Sequence, residues 1–140
     1  MVLGGSDAGA HLDMNDTFNL ATSLLAAVRD DHAMSLEEGV RLLTQAPANL
    51  LGLKDRGIVR EGFRADLVIL DPETVKPRTA TTRYDLPGDE MRLYAEADGI
   101  GQVIVNGISI VEAGTHTGSL PGQVLLSGRD TVTRLPAEAA

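Results

Sequence analysis

The hydrophobic period of the sequence changes near Gly57, and this change constrains the fold more than any other feature of the 140 residues. Before Gly57, apolar residues recur three and four positions apart, as they do on one face of a helix. After Gly57, short apolar runs between glycines and prolines are typical of strands. The sequence therefore predicts an α/β chain in which helices come first and strands follow.

Three helices are expected before the change. The first is capped by Asn15 or Asp16 and extends to about Arg29, because free backbone N–H groups at a helix start need side-chain acceptors. The second begins at Ser35, where Ser35 and Glu38 form a capping box. The first of these helices has a regularly spaced apolar face, formed by Leu20, Ala21, Leu24, Leu25 and Val28.

The third helix is short. Pro47 suits its first turn, Leu50 and Leu51 are its apolar residues, and Gly52 is the expected stop.

Strands are expected at 57–59 and at 65–71, with a turn at Gly62 between them. Asp66 and Asp71, at the ends of the second strand, are explained by turn chemistry. Residues 72–99 contain three prolines and no sustained period, which predicts a long loop.

The strongest local signal is Asn106-Gly107 between two β-branched runs, because this pair tolerates the positive φ angles of a two-residue hairpin turn. The pattern predicts a hairpin over 103–111. A loop at 114–122, a last short strand at 124–126 and a frayed tail from Arg129 complete the prediction.

The opening stretch, residues 2–13, carries the most chemistry. An apolar run ends in glycines at the expected carboxyl end of a buried strand, where α/β folds place their active sites. Ser6 and the glycines leave room around Asp7. Asp7 and His11, four residues apart, are able to serve one metal ion. In the alternative interpretation this is a polar loop, and Asp7 or Asp13 only caps the next helix.

Composition narrows the partners and the compartment. The formal charge of −8 argues against nucleic acid and anionic membranes as partners. The absence of cysteine excludes disulfides and thiolate metal sites. Without a long apolar run or a leader, a cytoplasmic protein is expected. Because Met1 stands inside a predicted strand, we expect the chain to begin mid-element and to share its core with a missing segment or a partner.

Residues 47–53 and 56–71 resemble the carboxyl-terminal signature of the amidohydrolase superfamily, and within it the N-acyl-D-amino-acid deacylases (D-aminoacylases). The resemblance continues through several short segments: 71–75, 80–81, 99–100, 103–107, 117–118 and 121–125.

The resemblance implies a distorted (β/α)8 barrel of a metal-dependent hydrolase with a small β-sandwich beside it. Residues 1–56 would be the carboxyl-terminal part of the barrel, comprising strand eight and the closing helices. Residues 57–128 would be part of the β-sandwich domain, and residues 129–140 a flexible tail.

The resemblance also implies a site. Asp7 would be the strand-eight aspartate at the metal centre, acting as general base on the metal-activated water and then as proton donor to the leaving amine nitrogen. His11, Ser6 and Gly9 would bind substrate or position Asp7. The cofactor would be zinc, as one or two divalent ions with the other ligands outside this chain.

The chain has only three histidines, His11, His32 and His116. This is fewer than the family pattern requires for its metal ligands. His32 is interpreted as a helix-end residue and His116 as a solvated loop residue. We therefore expect a carboxyl-terminal segment of a zinc-dependent enzyme that hydrolyses N-acyl-D-amino acids or related N-acyl compounds. We expect it to be inactive alone and completed by the rest of the barrel or an oligomeric partner.

Two alternatives remain open at this point. One is a non-catalytic, β-rich interaction module over residues 57–126. The other keeps the superfamily but changes the substrate to a cyclic amide or a deaminated base.

Overall fold

Three helices precede eight short strands in the computed structural model, which describes residue 6, residues 17–32 and residues 34–132. This order confirms the prediction that helices come before Gly57 and strands after it. Within these ranges, no helix has both the length and the apolar character needed to cross a membrane.

The first helix, α1 (Leu20–Asp31), follows a 3-10 turn at Thr17–Asn19. The α-helix therefore starts later than predicted, because the 3-10 turn takes up the first residues and Asn19 occupies the cap position. Asn15 and Asp16, the predicted caps, lie outside the described residues. The helix ends at His32, whose left-handed φ of 51° confirms the predicted helix-end role.

The second helix, α2 (Leu36–Leu43), begins as predicted, since Ser35 Oγ accepts a hydrogen bond from the backbone N–H of Glu38 at 3.2 Å. The second half of the predicted capping box is replaced. The Glu38 carboxylate accepts two hydrogen bonds from Arg41, at 2.7 and 2.8 Å, and these lower the pKa of Glu38.

The third helix, α3 (Gln45–Leu50), places Pro47 in its first turn, and Gly52 follows it with a φ of +69°, as predicted. The apolar residues Leu50 and Leu51 are exposed, and the small residues Ala46 and Ala48 are buried instead. Helix packing selects the side that faces the neighbouring helix, and six residues are too few for a spacing pattern to identify that side.

The buried apolar residues of the described part are concentrated in the helices: Leu25, Val28, Leu42, Ala46, Ala48 and, beyond them, Val75. Gly39 brings α2 close to α1, because a Cβ at this position would lie 3.0 Å from Val28 Cγ2. Arg29 extends the packing to the strand region by donating a hydrogen bond from Nη1 to the carbonyl oxygen of Val75 at 2.8 Å.

The strands form one four-stranded antiparallel sheet in the order β1-β6-β7-β8 and two small ladders, β2-β5 and β3-β4. The strands are β1 Leu67–Leu70, β2 Lys76–Pro77, β3 Thr81–Arg83, β4 Arg92–Tyr94, β5 Ala97–Asp98, β6 Ile100–Val105, β7 Ile108–Glu112 and β8 Thr115–His116. The β6–β7 hairpin turns at Asn106 and Gly107 with φ angles of 47° and 81°, which confirms the strongest local prediction.

The prediction of a long loop at 72–99 is wrong, because four of the strands lie there. These strands are stabilised by charged side chains that interact across the ladders, and their apolar residues do not recur with a strand period. Arg92 forms two hydrogen bonds of 2.6 Å with Asp85, and the Arg83 guanidinium lies 3.5 Å from the centre of the Tyr94 ring. Apolar periodicity does not detect strands stabilised in this way.

Two predicted strands are absent from the structure. Residues 57–59 and 124–126 are irregular, and Val59 and Val124 are 88% and 80% exposed. Neither segment has a paired strand among the described residues, and an apolar run without a partner does not form a ladder. The predicted loop at 114–122 also contains β8.

The last described residues are held against the end of the helices. Leu53 pairs with Thr131, and the N–H of Val132 donates to the carbonyl of Gly52 at 2.8 Å. Lys54 Nζ donates to the carbonyls of Gly128 and Arg129. The first residues of the predicted tail therefore make contacts with residues 52–54. Residues 133–140 lie outside the described residues.

Candidate functional site

Of the predicted site residues, Ser6 is the one that the structure describes. Asp7, Gly9 and His11, together with Asp13, lie outside the described residues. Ser6 is half-buried, and its carbonyl oxygen accepts a hydrogen bond from Thr17 Oγ1. This bond connects the residue before Asp7 to the 3-10 turn that starts α1. The roles assigned to Asp7, His11 and Gly9 stay predictions.

The two other histidines lie in different elements of the fold. His32 caps the carboxyl end of α1, while His116 is exposed in β8 at the edge of the four-stranded sheet. In the described residues, no group of three or more His, Asp or Glu side chains could hold a metal ion.

The acidic residues around β1 act structurally. Asp71 accepts hydrogen bonds from the backbone N–H of Glu73 and the hydroxyl of Thr74, both at 2.9 Å, so its carboxylate holds the turn after the strand. This confirms the turn interpretation of Asp71.

Asp66 connects three segments at the other end of β1. Its carboxylate accepts from the backbone N–H of Asn106 at 2.8 Å and from Arg56 Nε at 2.9 Å. Arg56, with a 13% exposed side chain, also forms an ion pair with Asp55 at 2.6 Å. Sequence spacing did not reveal this cluster, because its members are separated by up to 50 positions.

A cleft of about 650 Å³ lies between the 94–100 segment and the β7–β8 turn. This volume is within the range of about 300–1,000 Å³ that is common for small-molecule sites. The polar side chains that line it are Arg78, Tyr94, Glu96, Asp98, Thr115 and His116.

The charges in this cleft compensate one another. Arg78 donates to Asp98 at 2.7 Å and to Glu96 at 2.8 Å, and these contacts raise the pKa of the Arg78 guanidinium, with Asp98 contributing most. Arg83 donates to the other Glu96 oxygen at 3.1 Å. Both carboxylates that line the cleft are thus paired with arginine side chains.

A second, mainly apolar groove of about 350 Å³ lies beside α2 and is lined by Leu36, Val40, Ile58 and neighbouring residues. It contains no residue set typical of catalysis. Neither cavity includes a predicted site residue.

Comparisons with known proteins show which family the chain resembles. The model of the amidohydrolase family matches residues 1–111. N-acyl-D-aspartate deacylase from Alcaligenes xylosoxydans xylosoxydans is 37% identical over 75% of this chain and 19% of its own length. A 5-methylthioadenosine/S-adenosylhomocysteine deaminase from Bacillus cereus is 30% identical over 72% of this chain and 23% of its own length.

A solved structure of D-aminoacylase, studied for its binuclear metal centre, superimposes with a TM-score of 0.57 at 35% identity. The match covers 71% of this chain and 19% of that one. The chain thus spans about a fifth of the length of the relatives it matches.

Proposed function

Because this chain belongs to the amidohydrolase family, we propose that it supplies the carboxyl-terminal part of a metal-dependent enzyme that hydrolyses the amide bond of N-acyl-D-amino acids. The observation that carries this proposal is the 37% identity to N-acyl-D-aspartate deacylase over three quarters of the chain. A deacylase is favoured over the deaminase because the identity to the latter is lower over a similar span.

In the proposed arrangement, residues 1–56 complete the barrel and residues 57–128 belong to the β-sandwich. The exposure of the sheet supports this, since Val68 and Ile69 of β1 are each 54% exposed. Successive side chains of a strand point to opposite faces of the sheet, so each face of β1 carries an exposed aliphatic side chain. The remainder of the barrel, or an oligomeric partner, would cover these side chains.

Asp7 is the proposed acid–base residue. Its carboxylate would take the proton from the attacking water and return it to the leaving amine nitrogen, so that the amine departs neutral. Zinc, or another divalent ion held mostly by ligands outside this chain, would supply an activated water and polarise the acyl oxygen.

Ser6, Gly9 and His11 would shape the pocket beside Asp7. The Ser6 carbonyl accepts a hydrogen bond from Thr17 Oγ1, which connects the residue before Asp7 to the 3-10 turn at Thr17–Asn19. Because most of the metal ligands would lie outside this chain, we expect the isolated chain to be inactive.

The alternative of a separate interaction module over residues 57–126 has less support. Val75 is fully buried and its carbonyl accepts the Arg29 hydrogen bond, so this region packs on the helices. Arg56, which precedes the module, donates a hydrogen bond to Asp66 within it and adds a second connection across the proposed boundary.

To test the proposal, residues 1–140 would replace the matching part of a D-aminoacylase, and Asp7→Ala would be introduced into the hybrid. We expect the hybrid to hydrolyse N-acetyl-D-amino acids and the substitution to lower kcat by about 10²–10⁴-fold, the usual contribution of a positioned acid–base group. Turnover would be measured with both amino-acid enantiomers and with a cyclic amide.

Asp13→Ala in the same stretch is the matched control and is expected to retain most activity. Undiminished turnover by the Asp7→Ala hybrid would remove Asp7 from the mechanism. Preferential hydrolysis of the cyclic amide would replace the deacylase assignment. Stoichiometric zinc and amidase activity in the isolated chain would contradict the expected dependence on outside ligands.

A further inference from the structure

The turn between β6 and β7 has a chemical property that is independent of the proposed function. Asn106 is followed by Gly107, whereas the other asparagines precede larger residues: Asn15 before Asp16, Asn19 before Leu20 and Asn49 before Leu50. Glycine has no Cβ to obstruct its backbone nitrogen. That nitrogen is therefore the least hindered nucleophile for the neighbouring side-chain amide.

The reaction proceeds in two balanced steps. The nitrogen of Gly107 attacks Cγ of Asn106, forming a C–N bond, and the side-chain nitrogen leaves as ammonia with the proton from the Gly107 N–H. Water then opens the resulting five-membered imide, giving either aspartate or isoaspartate at position 106. The change replaces a neutral amide, which donates hydrogen bonds, by a carboxylate, which only accepts them.

In the folded chain, every group that takes part is held in another hydrogen bond. The Gly107 N–H donates to the carbonyl of Ala65 at 3.0 Å. Asn106 Nδ2 donates to the carbonyl of Pro121 at 2.7 Å, and Asn106 Oδ1 accepts from Arg56 Nη2 at 3.4 Å.

The backbone on the other side of the amide is fixed as well, because the Asn106 N–H donates to Asp66 Oδ1 at 2.8 Å. The side chain of Asn106 therefore cannot turn toward the Gly107 nitrogen without breaking the bond to Pro121. The hydrogen bonds occupy both the nucleophile and the leaving group.

We propose that Asn106 is a deamidation site. The hydrogen bonds of the folded turn keep its side chain unreactive, and local opening of the turn makes it reactive. The product also has a structural consequence. A carboxylate at position 106 loses the donor to the Pro121 carbonyl and places two acceptors against each other, so the contact between Pro121 and the turn is lost. The contact with Arg56 is compatible with the new charge.

The test compares the chain incubated in buffer with the same chain unfolded in urea at equal pH and temperature. Peptide mass spectrometry follows the conversion of Asn106, with Asn49 in the same digest as the internal reference. We expect Asn106 to convert faster than Asn49 in urea and at least about tenfold more slowly in buffer than in urea, because reaction then requires local opening. Equal rates in buffer and urea would overturn the protection, and equal rates for the two asparagines in urea would overturn the site.

A substitution at Asp66 tests whether the hydrogen bonds of this residue protect Asn106 from deamidation. Asp66→Ala removes the acceptor of both the Asn106 N–H and Arg56, and is expected to accelerate deamidation several-fold in buffer. Arg60→Ala, whose guanidinium lies 5.7 Å from the Phe63 ring, is the matched control. An unchanged rate in folded Asp66→Ala would show that the Asp66 contacts do not protect the turn. The comparison of buffer with urea decides the main proposal even if this variant does not fold.

Discussion

The helical part (residues 17–52) and the sheet part (residues 65–116) of this chain are stabilised differently. Five of the six buried apolar residues of the described chain lie in the helices, and Val75 is the sixth. In the sheet part, Val68, Ile69 and Ile108 are each at least half exposed. The helical part is therefore held by a small apolar core, whereas the sheet part depends on backbone ladders, tight turns and ion pairs.

This difference shows that regular secondary structure and burial are separate properties. The β6–β7 hairpin is well formed because its turn residues accept positive φ angles, although the sheet has little apolar cover. The match to this chain accounts for only 19% of the N-acyl-D-aspartate deacylase, so a relative of that length has ample further chain to cover such a sheet. This agrees with the proposed completion by the remainder of the enzyme.

The largest expected effect tests the core of the helical part. Leu42 is 1% exposed, so Leu42→Ala removes buried methyl groups and leaves a cavity. We expect the free energy of unfolding to fall by about 2–4 kcal/mol, measured by urea denaturation. Ile69→Ala, at a 54% exposed position, is the control and should cost less than about 1 kcal/mol. Similar losses in the two variants would contradict the contrast between the two parts.

The next effect concerns the point where the two parts meet. Gly99 has a φ of +74°, and a Cβ there would lie 2.5 Å from the backbone nitrogen of Val75. Gly99→Ala should therefore lower the free energy of unfolding by about 2–3 kcal/mol, through clash and backbone strain together.

Gly62→Ala separates these two causes. Gly62 has a φ of +82° with no atom within 4 Å of its would-be Cβ, so this substitution adds the strain alone. We expect a loss of about 1 kcal/mol, again measured by urea denaturation. Equal losses at Gly99 and Gly62 would mean that the close approach to Val75 adds nothing.

The smallest effect compares the two turns of the four-stranded sheet. Ala113 has a φ of 47° in the β7–β8 turn, in the position equivalent to that of Asn106 in the β6–β7 turn. Because asparagine tolerates the left-handed region better than alanine, Ala113→Asn should stabilise the chain by about 0.5 kcal/mol. Thermal unfolding checks this, with Ala95→Asn, outside the left-handed positions, as a control in which no gain is expected. A decrease in stability for Ala113→Asn would contradict the turn argument.

Local signals predicted several elements correctly. Ser35 caps α2, Gly52 follows α3 in a left-handed conformation, and Asn106-Gly107 forms the turn of a hairpin. Each of these depends on one or two residues with a strong backbone preference, so no distant partner is needed to recognise it.

The errors in prediction have a common origin in distant contacts. Residues 57–59 and 124–126 are apolar enough for strands but lack paired neighbours, while the ladders within 72–99 form through arginine–carboxylate pairs between separated positions. At the candidate site, Asp7 and His11 were predicted from their spacing and from a family resemblance, and their roles stay predictions. The Arg56–Asp66–Asn106 cluster became visible in the tertiary structure.

The sequence by itself determined the family, the order of helices before strands and the local turns, because residue types and short spacings encode these features directly. Only the tertiary structure decided which side of α3 is buried, which apolar runs form a ladder, and how Asn106 is held between Arg56, Asp66 and Pro121. The physical reason is that burial and hydrogen-bond pairing depend on residues far apart in the chain, and a local pattern does not specify which of them meet.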